Sequence, residues 1–474
     1  MTRMERASVI AATAVVIALL AGTAFAAGDP ALRRVVVFTD GTSADIQTQV
    51  IAASGSRLLR VLPIVNGVSI ALPALDSAAA LTFLQTHPAV AAVYDDPRFG
   101  AHGAVVANGA GGDGAGGDGA GGDHVVFITP VPAPSKEMYP WGIERIGAAD
   151  VQRDVHDLGG GVQVAVFDTG IDLNHPDLAQ NIIGGLNAIA DDNSDSYQDD
   201  NGHGTAMAGI IAARINRLGV IGGAPHALLY AVKVLDKNGR GHTSDTIWAL
   251  GELMNRPEIR VINMSFGTSL VWPLFPIAIQ RATDAGKIIV ASRGNGCSPS
   301  SGSAANGAGG DGAGGDAQCT CTAQSSANGA GGDGAGGDAA CGSAVKYPAA
   351  YPEVITVGAT TIRDKVAGYS LSGGVDVVAP GGDSEQQILS TNVGGGYGLI
   401  TGTSPAAAHV TAAVALAVHL RPRISVDRVA ELLQLTADHL DCLGCTIEKQ
   451  GAGLIDVRAM VDELTRRRIR DWDD

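Results

Sequence analysis

Hydrophobic and polar positions along the chain follow two successive rhythms. Over 34–96 the runs are short and give strand 34–39 (RVVVFT), helix 43–53, strand 56–65, strand 66–73, helix 74–85 and strand 89–96. The first helix places Ile46, Val50 and Ile51 on one face, and the second does so with Leu75, Ala79 and Phe83. The order βαββαβ predicts a small α+β, ferredoxin-like module. From residue 137 onward the strands become continuous apolar runs, at 162–168, 228–235, 260–266, 287–292, 354–360 and 375–380. Helical stretches between and after them start near Gly204, Ser244, Leu274, Ser404 and Ser425. A strand that is apolar on both faces has to be covered on both, so this half predicts a mostly parallel, doubly wound α/β sheet. Chemistry in such sheets gathers at the carboxyl ends of strands and the amino ends of the helices that follow.

Three stretches stand outside these rhythms. Arg3 and Arg6, the apolar block 8–20 and the small residues Ala24 and Ala26 form the three-part layout of a secretory signal, 1–26, expected to be removed. The pentamer GAGGD recurs in 109–123, 307–316 and 329–338, with no side chain larger than Asp to build a core. A calcium-binding β-roll needs a large apolar residue in every repeat, so these blocks are expected to be solvated linker or loop. The resulting division is 1–26 signal, 28–100 small module, 101–135 Gly-rich linker and 136–465 large domain, with a Cys/Gly-rich insertion at 297–341. Arg466 to Arg468 and Arg470 are answered at once by Asp471, Asp473 and Asp474, and read as a solvated tail.

Composition narrows the function. The formal net charge is −16, or −9 without the seven repeat aspartates, and no long basic stripe offsets it. Nucleic acid and anionic lipid are therefore excluded as main partners. After signal removal no segment is long and apolar enough for stable membrane association, which predicts a secreted, extracellular or periplasmic, monomeric product. Cys297, Cys319, Cys321, Cys341, Cys442 and Cys445 are even in number in an exported chain, so disulfides are the default. Cys442 and Cys445 share a loop and are expected to pair. Cys297 with Cys341 would clamp the insertion, and zinc is disfavoured because no histidine is suitably placed.

Asp168 ends the first long strand in VAVFDTGID, His203 opens a helix in NGHGTAMAG, and Ser404 opens another in GTSPAAAHV. An acid, an imidazole and a hydroxyl are the parts of an activated serine nucleophile: Ser attacks, His takes its proton and Asp fixes the imidazole. A lone DTG also matches an aspartic protease lobe, but that chemistry needs two carboxylates and the sequence has one DTG. His175, His226, His242, His409 and His419 read as capping, turn or surface residues, and Met207, Met254 and Met264 as core.

FDTGID, HPDL, NGHGT, VINMS, YPAAYPEVITVGA, VDVVAPG and GTSPAAAHV, in this order over 137–460, resemble the subtilisin family (subtilases) of serine endopeptidases. The module at 34–96 resembles the family's inhibitory propeptide. The resemblance implies a subtilisin-like fold preceded by that propeptide domain, a catalytic triad of Asp168, His203 and Ser404, and Asn295 as oxyanion donor. It implies substrate binding by Ser265, Phe266, Gly267, Ser292, Arg293 and Gly294, with protein or peptide substrates and the chain's own propeptide as partners. It also implies a structural calcium ion held by Glu137, Asp177 and Asn216 and by the carbonyls of Arg214, Leu218 and Val220. Pro405, Ala408, Ala206 and Arg293 depart from the family's usual residues, and Arg293 falls near the primary specificity pocket. The rival expectation is a non-catalytic surface or binding protein on a degenerate protease fold.

Overall fold

The computed structural model describes residues 32–101, 128–154, 159–192, 194–296 and 346–470. The signal 1–26, the GAGGD blocks, the insertion 297–341 and Asp471 to Asp474 lie outside the described residues. The chain divides into two compact units, Met1–Leu59 with Val68–Asp95, and Arg60–Gly67 with Asp96–Asp474.

In the first, strands β1 (Arg33–Phe38), β2 (Arg57–Leu62), β3 (Gly67–Ala71) and β4 (Val90–Asp95) form one sheet in the order β2-β3-β1-β4. Helices α1 (Ala44–Ala53) and α2 (Ser77–Thr86) complete the expected βαββαβ succession. The core holds Val36, Phe38, Val50, Ile51, Val68, Ile70, Leu72, Ala80 and Leu84. Three expected core positions differ. Helix α2 begins only after Asp76, so Leu75 lies in the preceding turn and is fully exposed, Ala79 is exposed as well, and Ala80 and Leu84 carry the buried face instead. Ile46 is also exposed, one turn before the buried pair Val50 and Ile51.

The second unit is built on a seven-stranded sheet. In chain order its elements begin with β5 (Arg98–Ala101), β6 (Thr129–Val131), α3 (Trp141–Arg145), α4 (Ala148–Asp154), β7 (Gln163–Asp168), β8 (Ile182–Asn187) and α5 (His203–Ala212). They continue with β9 (Leu228–Lys233), β10 (Arg240–His242), α6 (Thr243–Met254), β11 (Ile259–Met264), β12 (Phe266–Gly267), α7 (Leu274–Asp284) and β13 (Ile288–Ser292). The last are β14 (Ile355–Thr360), β15 (Val377–Pro380), β16 (Ile388–Asn392), β17 (Gly396–Ile400), α8 (Thr403–Leu420), α9 (Val426–Leu435), α10 (Ile447–Gln450) and α11 (Val457–Arg470). The sheet order is β15-β14-β13-β11-β7-β9-β8, and all neighbours run parallel. Strands β13, β14 and β15 are buried along their whole length, which is why their sequences are unbroken apolar runs.

The order turns back at β7: the chain adds β8 and β9 on one side and β11, β13, β14 and β15 on the other. A crevice at the carboxyl end of β7 is the expected place for a site. Helix α8 lies against β11, β13, β14, β15 and α5. It is long and apolar enough to cross a membrane, but 89% of it is buried in protein, which makes it a core helix. Edge strand β8, the hairpin β16–β17 and helix α11 are additions to the sequence reading. The arginines at 466–470 fall in α11, which ends at Arg470. Cys442 and Cys445 are joined, as their spacing leads one to expect.

Candidate active site

Asp168 is the last residue of β7 and fully buried. Its Oδ1 accepts from the backbone N–H of Thr169 at 2.8 Å and lies 2.7 Å from Nδ1 of His203, with Oδ2 at 2.9 Å. His203 opens α5, and the helix start is brought to the strand end so closely that only glycine fits at 204. A Cβ there would meet the Gly170 carbonyl at 2.1 Å. The junction is tied by Thr169, whose Oγ1 accepts from the Gly204 N–H and donates to Asp199 Oδ1. Asp199 is buried and also accepts from the N–H groups of Asn201, Gly202 and Thr205 and from the Thr205 hydroxyl. These bonds satisfy amides that a helix start leaves without intrahelical partners. They fix the imidazole so that Nδ1 is on Asp168 while Nε2 is buried with no hydrogen-bond partner among the described residues.

Ser404 is the second residue of α8, after Gly402 at φ 149°. Its hydroxyl donates to the Ser265 carbonyl at 3.0 Å, and Ser265 Oγ donates to the Ser404 carbonyl at 3.2 Å. Pro405 sits in the first helical turn, where no intrahelical N–H is lost, so this departure from the family is accommodated. Asn295 comes within reach of the same helix start. Its Oδ1 accepts from the N–H of Thr403 at 3.1 Å and from the Thr403 hydroxyl at 3.0 Å. Its Nδ2 is buried and has no hydrogen-bond partner among the described residues. An unpaired buried amide donor is costly unless something else accepts from it.

Strands β10 and β12 flank a third strand in a small sheet of the order β10-β5-β12. Strand β5 is antiparallel to both, with Phe99 opposite Gly241 and Ala101 opposite Phe266. The rings of Phe99 and Phe266 stack with centroids 4.6 Å apart, and both are buried. Asp96 accepts from the Ser244 N–H and hydroxyl, capping the start of α6.

Residues 159–454 match the Subtilase family. The chain belongs to it. It is 36% identical over 325 residues to Subtilisin of Bacillus pumilus, covering 68% of this chain and 98% of that one. The same identity and span hold for Subtilisin E of Bacillus subtilis (strain 168), of which 70% is covered. Subtilisin Savinase of Lederbergia lenta is 36% identical over 322 residues, 97% of its length. As a subtilase the chain is a serine endopeptidase acting on protein or peptide substrates, which goes against the non-catalytic alternative.

The residues expected to bind substrate fall in two places. Ser265 ends the run from β11, Phe266 and Gly267 form β12, and Ser292, Arg293 and Gly294 follow one another at the end of β13. Arg293 is 3% exposed, and its guanidinium donates to the carbonyls of Gly373 and Ser372 at 2.6 and 2.7 Å. Burial draws its pKa below the ordinary value.

The residues expected around calcium are also gathered. Asp177 is fully buried, accepting at Oδ2 from the Val220 N–H and the Tyr397 hydroxyl. Glu137 Oε1 accepts from the N–H groups of Asn216 and Arg217. Asn216 turns its Nδ2 to Asp177 Oδ1 at 3.1 Å and its Oδ1 to the Leu218 N–H.

Sequence reasoning missed Thr169, Asp199, Thr205 and Thr403, which hold the site residues from behind. The signal that could have found them is position: Thr169 and Thr403 are chain neighbours of Asp168 and Ser404, and Thr205 follows His203 by two.

Proposed function

We propose that this subtilase cuts peptide bonds through a triad of Ser404, His203 and Asp168 with an acyl-enzyme intermediate. The observation that carries it is His203: Nδ1 on a buried carboxylate, Nε2 buried and without a hydrogen-bond partner among the described residues. Ser404 Oγ attacks the scissile carbonyl carbon while its proton passes to His203 Nε2. Asp168 keeps the tautomer with the Nε2 lone pair outward and stabilises the imidazolium. The oxyanion is met by the Asn295 Nδ2–H and by the N–H groups opening α8, each donor worth about 3 kcal/mol in the transition state. His203 then protonates the leaving nitrogen, the C–N bond breaks and the acyl group stays on Ser404. Water gives a proton to Nε2, attacks the ester, and the proton returns to Ser404 as the acid leaves. A fluorophosphonate probe should label the mature enzyme and not its Ser404→Ala variant; equal labelling of both would sink the assignment.

Residues 28–100 are the enzyme's own inhibitory propeptide in this reading, and 1–26 an export signal that sends a monomeric product outside the cytoplasm. The antiparallel seat of β5 between β10 and β12 supports the first, because an extended chain paired there competes with a substrate that would add as a strand at the same place.

Calcium is the proposed structural ion. The donor set fits: two carboxylates, one amide and the carbonyls of Arg214, Leu218 and Val220, which take no hydrogen bond from the described residues. Six oxygens suit calcium. The Asn216 amide would have to turn over, because Nδ2 faces Asp177 as it stands. Bound there, the ion supplies charge neutralisation for Glu137 and Asp177 and ties the 214–220 loop to the domain.

A further inference from the structure

Arg293 is a large cation enclosed two residues before Asn295. The last sheet bond of β13 runs from the Arg293 N–H to the Val357 carbonyl, after which the chain leaves the sheet. The next three residues are backed by another stretch: the Leu371 N–H donates to the Gly294 carbonyl, Asn295 bridges Ser370, and the Gly296 N–H donates to the Tyr369 carbonyl. The guanidinium of Arg293 holds the far end of that same stretch through the Ser372 and Gly373 carbonyls. Gly373 and Gly374 both have positive φ, 84° and 66°, a turn that glycine adopts without strain. The Gly373 N–H in turn donates to the Glu448 carbonyl.

Asn295 is thus held on two sides. Thr403 grips its Oδ1, and residues 369–373, tied down by Arg293, support its backbone. We propose that Arg293 is a positioning residue that sets the Asn295 amide where the oxyanion forms. This rests on the reading of Asn295 as oxyanion donor and goes beyond it, since it gives a role to the residue that departs most from the family's habit of a small side chain there. Charge-assisted hydrogen bonds are stronger than neutral ones and suit such a brace. The aim of a preorganised donor matters, because displacements of about 1 Å can cost about a hundredfold in rate.

The test is a double-mutant cycle on the mature enzyme with a chromogenic peptide. Arg293→Met should lower kcat by about tenfold with KM within about twofold, and Arg293→Lys, which keeps the charge, should fall between it and the parent. In an Asn295→Ala background the same Arg293→Met change should cost less than about twofold, because the donor it positions is gone. Equal losses in both backgrounds, or a change confined to KM and side-chain preference, would overturn the proposal. Should Arg293→Met fail to fold, the cycle is run with Arg293→Lys, and the same non-additivity is required. Wild-type kcat in Asn295→Ala alone would remove the oxyanion reading itself, a failure separate from equal losses in the cycle.

Discussion

Lys233 faces Asp168 across the parallel pair β7 and β9, and its ammonium donates to the carbonyl of Thr169 at 2.7 Å. The same ammonium, almost wholly buried, donates to the Leu235 carbonyl at 3.2 Å and to Asp200 Oδ1 at 2.6 Å. Lys233→Met leaves two carbonyls without this donor, next to Asp168. The expected loss is about 2–4 kcal/mol, read from urea midpoints in the Ser404→Ala background, where self-digestion does not interfere. A midpoint within error of the parent would show that other donors replace the ammonium.

If Ser404 and His203 act on one proton, as proposed, their losses should not multiply. Ser404→Ala, His203→Ala and the double variant should each lose about a millionfold in kcat. Residual activity in the double variant well below either single one would mean that they contribute separately.

His409 lies in α8 with Nδ1 on the Pro405 carbonyl, and burial pushes its pKa from 6.5 down to about 4. The folded protein keeps the ring neutral where the unfolded chain binds a proton. Its contribution is therefore complete above pH 6.5 and is lost as the pH falls toward 4, by about 3 kcal/mol at most. His409→Gln should show a flatter fall of melting temperature between pH 7 and 4.5. A parallel fall in both proteins would assign the acid sensitivity to carboxylates alone.

If calcium binds only the folded state, a concentration about a hundred times its dissociation constant adds about 2.7 kcal/mol. Melting of the Ser404→Ala protein with calcium and with chelator reads this directly. The difference should vanish in Asp177→Ala with Asn216→Ala, and a difference that survives those changes belongs to another site.

Phe99 offers a handle on the proposed propeptide. A polypeptide of residues 28–101 added to mature enzyme should inhibit competitively, and Phe99→Ala should weaken it about tenfold, through the lost stack on Phe266. Noncompetitive inhibition, or none, would detach β5 from that role.

The central strands are legible in the sequence because both of their faces are covered, so burial writes them as apolar runs. Strand β8 is not, since it carries Gly184 and Gly185 at the sheet edge and only Asn187 is buried. The hairpin β16–β17 is hidden by the run of glycines at 394–396 between its strands. Asp168, His203, Ser404 and Asn295 are legible as short motifs at element ends. Asp199 is not, because its work is to bind the amides of a turn and the hydroxyls of Thr169 and Thr205, and no local pattern marks that. The direction of Arg293 is equally invisible in one dimension: its guanidinium is aimed by a turn some 80 residues downstream.

Helix α8 carries Ser404 at its second position and is buried from Thr403 through Val418. Nothing of that length can loosen without taking the sheet with it, so Ser404, the proposed nucleophile, has no private way to melt. Counting reactive serines with a covalent probe during heating is then the same as counting folded molecules. Damage to this enzyme should be digital: a population of fully competent copies that dwindles, never a uniform population that slows.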